Sequence, residues 1–184
     1  MMISTYEKSL MSDLQVAPQY FGIIFAFLTL VQCFSVKYQD KIHNTFKNRT
    51  LAFIAIPIFI SFIIVGMVAT MNLNFAFTFI IVMFAFFIHH FFRSPYWVLE
   101  DRYVTNFTNS NMRAKILSIN NLIKNLAELL ISFLGGLLLE FYTTSQAYLI
   151  IGVVGLVIIL LVLIYMKKRI GLRPEENDKE DIEY

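Results

Sequence analysis

Five long apolar stretches divide the chain, and the polar residues between them fall in short, distinct groups. A helix needs roughly 20 apolar residues to cross the hydrocarbon core of a bilayer. Residues 18–36, 51–70, 75–92, 113–139 and 147–166 each come close to that length. None alternates residue by residue as barrel strands do. The pattern predicts an all-α integral membrane protein with five transmembrane helices, the second bent at Pro57.

The fourth stretch departs from uniform apolarity. In "NMRAKILSINNLIKNLAELLISFLGGLLLE", placed on a wheel of about 100° per residue, Ser118, Asn121, Lys124, Asn125, Glu128, Ser132, Gly135 and Gly136 share one arc. Ile123, Leu126, Leu130, Phe133, Leu134 and Leu137 take the other side. A charge near the bilayer centre costs at least a few kcal/mol, so the polar arc must face protein or a water-filled cavity. Asn121, Lys124, Asn125, Glu128 and Ser132 are therefore the candidate cavity-lining residues. Lys124 and Glu128 stand one turn apart and are expected to pair. The alternative is that the first turns of this helix project past the headgroups, with the span proper beginning near Leu126.

Charge changes the picture through its placement. Lys37, Lys41, Lys47 and Arg49 separate the first two spans, and Arg93, Arg102, Arg113 and Lys115 separate the third from the fourth. Lys167, Lys168, Arg169 and Arg173 follow the fifth. "MNLN" and "EFYTTSQ" carry no Lys or Arg, and Lys8 alone precedes the first span. Basic loops stay in the cytoplasm, which predicts a multi-pass plasma-membrane protein with its C-terminus inside and Met1 outside. Residues 1–17, which do not have the make-up of a signal peptide, are expected to form an extracellular link. The acidic residues 167–184 are expected to form a disordered cytoplasmic tail. "SPYWVLEDRYVTNFTNSN" is expected to hold a short helix along the cytoplasmic interface, where Tyr96, Trp97 and Tyr103 would sit.

Composition agrees, with 58% hydrophobic and only 15% charged residues. Its function classes are narrow. The single cysteine, Cys33, forms no internal disulfide, and no Cys/His spacing suggests a metal or other cofactor. No Ser/His, Asp/Asp or His-Glu-x-x-His arrangement points to an enzyme, and nothing points to nucleic acid. His89 and His90 project about 100° apart on a helix, so they do not chelate a metal from one face. Near the cytoplasmic end of the third span they are candidates for proton coupling.

"NSNMRAKILSINNLIKNLAELLISFLGGLLLEFYTTSQAYLIIGVVGLV" resembles the last two helices of a major facilitator superfamily transporter. Arg113, Ala114 and Ser118 stand where that family ends a cytoplasmic loop and opens a helix. Ser35, Asp40, Lys41 and Asn48-Arg49 stand in the places of its signature cytoplasmic loop, although the usual glycines are absent and the gap from Asp40 to Arg49 is long.

The resemblance implies that the five spans are the eighth to twelfth helices of an incomplete six-helix C-terminal half. It implies secondary active transport by alternating access, as a bacterial exporter or solute carrier of small molecules or drugs. Asp40, Lys41, Arg49 and Arg113 would then be loop and gating residues, with Asp40 and Arg49 bridging helix ends. The chain is expected to be a fragment that does not transport without the missing N-terminal half. Its other partners would be the lipid bilayer and an unknown small-molecule substrate. A small membrane interaction or regulatory protein without transport activity is the competing reading.

Overall fold

In a computed structural model, residues 2–46, 49–71, 74–106, 108 and 111–165 are described. The acidic tail expected to be disordered, and Lys47 and Asn48 of the loop motif, lie outside these residues. The described chain is helical throughout: α1 Met2–Asp13, a 3-10 turn Pro18–Tyr20, α2 Phe21–Val36, α3 Gln39–Phe46, α4 Thr50–Thr70, α5 Phe75–Asn106, α6 Arg113–Phe141 and α7 Thr144–Tyr165. Five segments are long and apolar enough to cross a membrane. In hydrocarbon a backbone must satisfy its own hydrogen bonds, which selects helices for such sequences. The all-α membrane fold expected from the pattern is the fold found.

Two segments differ from their sequence reading. The first is residues 1–17, read as a link. It contains α1, and Tyr6, Glu7, Leu10 and Met11 on that helix are buried. The helix stops in a Schellman arrangement, where Val16 N–H reaches Met11 O and Gln15 N–H reaches Ser12 O, each at 2.9 Å. Gln15 takes the left-handed backbone (φ 58°) that this stop requires.

The second is the region after Phe92, where a separate interfacial helix was expected. Instead α5 runs unbroken through Pro95 to Asn106. A proline inside a helix costs about 3 kcal/mol, and tertiary contacts offset it. Leu99 and Tyr103 bury with Ile54 in an apolar cluster at the basic end. Arg102 donates to Asp40 of α3, and Lys124 of α6 pairs with Glu100 and Asp101. With about 1.5 Å of rise per residue, α5 is much longer than a bilayer core. A helix of this length has more turns than a bilayer core accommodates.

The main core gathers Tyr6, Leu10, Leu28, Phe62, Val65, Val82, Phe86 and Tyr148 around the meeting point of α1, α2, α4, α5 and α7. α4 packs most extensively on α7 and α5. Glycines allow the α4–α7 approach. A Cβ on Gly66 would fall 2.6 Å from Leu149 backbone N, and one on Gly152 would fall 2.8 Å from Ile63 backbone N. α6 is the outlier, with Gly135 its one buried residue.

Gly66→Ala is therefore expected to destabilise the bundle by about 1–3 kcal/mol, because backbone must move to admit the methyl group. Gly22 has nothing within 4 Å of its would-be Cβ. Gly22→Ala is expected to be neutral or to stabilise by up to about 1 kcal/mol through helix propensity. Thermal unfolding of both variants in the same detergent checks the contrast. Equal stability of the two would contradict the α4–α7 contact.

Candidate functional site

The densest polar chemistry in the bundle lies where α1, α2 and α5 converge. α1 brings Glu7, which is 1% exposed, into the apolar core. His90 Nε2 lies 2.9 Å from Glu7 Oε1, and the other ring nitrogen, Nδ1, lies 2.6 Å from Gln32 Nε2 of α2. With the Gln32 amide placed so, its N–H donates to Nδ1, and Nε2–H of a neutral imidazole donates to the carboxylate. Three helices are thus joined through one histidine ring.

Next to this pair, His89 is 1% exposed and stacks on Phe62 of α4, with ring centroids 4.9 Å apart. Neither of its nitrogens has a hydrogen-bond partner, nor do Glu7 Oε2 and the Tyr148 hydroxyl. Burying a polar group without a partner costs on the order of 1–3 kcal/mol, so orphans gathered in one place call for a functional account. The adjacent histidines do diverge, with rings 5.3 Å apart and nearly perpendicular. Even so, one ligand atom from each of Glu7, His89 and His90 lies within 4.8 Å of the others. The sequence argument treated the two histidines alone, and the third donor arrives from α1.

α1 is fixed against the other helices by further contacts. Tyr6 donates to the carbonyl of Gly135 on α6, and Ser9 and Thr144 share a 3.1 Å hydrogen bond. Burial pushes the Tyr6 hydroxyl pKa up, which keeps it a donor. Ser9, Asp13, Thr70, Tyr142 and Gln146 line a cavity of about 710 Å³ at the end away from the basic loops.

The α6 stripe is placed differently from this cluster. Asn121, Asn125 and Glu128 are exposed, and Ser132 is half-buried. The apolar side is open too, with Leu126, Leu130, Phe133 and Leu134 all exposed. Lys124 reaches across to α5, at 3.1 Å from Glu100 Oε2, 2.9 Å from Asp101 Oδ1 and 5.2 Å from the Trp97 ring centre. These contacts tie Lys124 of α6 to α5.

At the basic end, Asp40 of α3 pairs with Arg102 of α5. Arg49 caps the start of α4 without a side-chain cap bond, and Lys41 and Arg113 are exposed. His43 Nδ1 lies 3.3 Å from the Tyr103 hydroxyl and 3.4 Å from Thr50 Oγ1. The structure joins His89 and His90 with each other, while the loop residues and the α6 stripe form separate groups. Sequence reasoning missed Glu7, Gln32 and Tyr148. For Glu7 a signal existed, since Tyr6, Leu10, Met11 and Leu14 recur at helical spacing in the segment read as a link. Gln32 and Tyr148 are single polar groups in apolar spans and carry no pattern.

No curated protein and no solved structure matches the chain significantly. A sequence profile of the Major Facilitator Superfamily matches residues 1–183, which is nearly the whole chain. Together with the five membrane-length helices, this places the chain in the Major Facilitator Superfamily of membrane transporters.

Proposed function

We propose that this chain is one helical bundle of a secondary active carrier that moves a small-molecule solute or drug by alternating access. The observation that carries the reading is the exposed polar stripe of α6. Asn121 and Asn125 are exposed on a helix whose opposite face suits lipid. Amides do not face hydrocarbon at acceptable cost. Helices opposite α6, from the other half of the carrier, would enclose Asn121, Lys124, Asn125, Glu128 and Ser132 in a water-filled cavity. This bundle supplies one wall of that cavity. The distribution of Lys and Arg supports an arrangement in which the Asp40–Arg102 and Lys124–Glu100 end is cytoplasmic, with Lys41, Arg49 and Arg113 at its rim.

Glu7 and His90 would carry the coupling proton in this reading. A carboxylate and an imidazole 2.9 Å apart can pass a proton along their hydrogen bond. Because the pair joins α1 to α5, its protonation state would bias how those helices sit. His89, buried beside it with unpartnered nitrogens, is the second acceptor.

Three outcomes follow. Vesicles containing only this chain are expected to show no substrate flux above that of empty vesicles, and saturable flux from the chain alone would refute the one-wall picture. A reporter that is active only in the cytoplasm should be active when fused after Lys41 and inactive when fused after Tyr142. The reverse result would invert the orientation. In the assembled carrier, Glu7→Gln is expected to lower proton-driven accumulation at least about tenfold, about 1.4 kcal/mol. Exchange of labelled for unlabelled substrate should continue. Accumulation at the unsubstituted level would remove Glu7 from the coupling.

A further inference from the structure

We propose that Glu7, His89 and His90 form a binding site for one divalent transition-metal ion of the zinc class. The donor set is two imidazoles and one carboxylate, drawn from α1 and α5. One potential ligand atom from each lies within 4.8 Å of the others. A four-coordinate zinc ion, with bonds of about 2.0–2.1 Å, brings its ligands roughly 3.3 Å apart. Binding would draw the most distant ligand atoms together by up to about 1.5 Å. All three groups are buried inside the bundle.

The unmet hydrogen-bonding capacity points the same way. Both His89 nitrogens and Glu7 Oε2 are buried without a partner. A lone pair on a His89 nitrogen and another on Glu7 Oε2 are what a metal ion takes up. His90 also has its outer support in place. Ligating histidines usually donate their second ring N–H to an oxygen. Gln32 sits 2.6 Å from His90 Nδ1, and turning its amide over presents an oxygen to Nδ1–H. The His90 proton then moves from Nε2 to Nδ1, and Nε2 is freed for the metal. The same glutamine therefore supports the ring with or without an ion.

The chemistry also selects the ion. Imidazole donors suit zinc, cobalt, nickel and copper. Magnesium and calcium demand about six or more oxygens, and this cluster offers one carboxylate. Three protein ligands leave a coordination position open for water or an anion. This site does not depend on the proton reading of Glu7 and His90, because metal binding is measured without transport. A failure of coupling leaves the metal result standing, and a failure to bind metal leaves the coupling result standing.

The test is a titration of the full chain, purified in detergent with any affinity tag removed, using Co2+ followed by its visible d–d bands. One equivalent per chain is expected, with the intense bands of a four- or five-coordinate ion, displaced by Zn2+. Glu7→Gln and His89→Gln should each weaken binding at least tenfold. His43→Gln should leave it unchanged, since the chain's third histidine lies in a different cluster. No saturable band, or undiminished binding in folded Glu7→Gln and His89→Gln proteins, would overturn the site. Should either variant fail to fold, X-ray absorption of the Zn2+-loaded unsubstituted chain decides. Two imidazoles with an oxygen ligand support the proposal, and any other shell rejects it.

Discussion

A carboxylate held in an apolar bundle sets the terms for the packing around it. Glu7 is buried among Tyr6, Leu10 and Met11 on a helix that fills the core next to Tyr148 and Phe86. Desolvating an ionised carboxylate costs several kcal/mol, and partial pairing repays only part of that. His90 answers one oxygen, and Gln32 answers the other side of the imidazole. Withdrawing His90 would remove this partner from both Glu7 and Gln32. The convergence of α1, α2 and α5 is therefore a requirement of this network as well as a result of apolar packing.

The bundle contrasts with this in how it divides rigidity. α4 and α7 meet through Gly66, Gly152 and Gly155, close enough that added methyl groups would strike backbone or the Phe59 ring. Without a hydrophobic driving force between helices in lipid, close backbone approach is a main source of cohesion. On α6, a Cβ at Gly136 would have nothing within 4 Å. The helix is held by Tyr6 at Gly135 and by Lys124 at Glu100 and Asp101. Most of α6 is exposed along both of its faces. The tight pair α4–α7 and the largely exposed α6 therefore differ in how they are held.

Much of this architecture was legible in the chain. Apolar length alone marks the membrane helices, because hydrocarbon leaves a backbone few alternatives. The polar arc of α6 was visible from periodicity. The charge partners were not, because sequence spacing reports only neighbours on one helix. Lys124 met Glu100 and Asp101, and Asp40 met Arg102, through the continuation of α5 past Pro95. A proline and a run of mixed polarity normally signal a helix end. Here Leu99 and Tyr103 packing on Ile54 outweighed that local signal. The His89–His90 pair was noticed, but its meaning depended on a glutamate 83 positions from His90.

The position of α1 then links the two polar systems. Tyr6 and Glu7 are consecutive, so one helix turn touches both α6 and α5. The Tyr6 hydroxyl holds the Gly135 carbonyl, and the Glu7 carboxylate holds His90. Any change in charge at Glu7, whether from a proton or a metal ion, alters how firmly this turn of α1 is held on α5. The adjacent Tyr6 contact must respond through the same few backbone bonds. α6 carries the candidate cavity residues, so a charge event in the core has a covalently short path to the wall of the cavity. The chain thus joins its buried Glu7–His90 pair to the Gly135 carbonyl of α6 through two consecutive residues of α1.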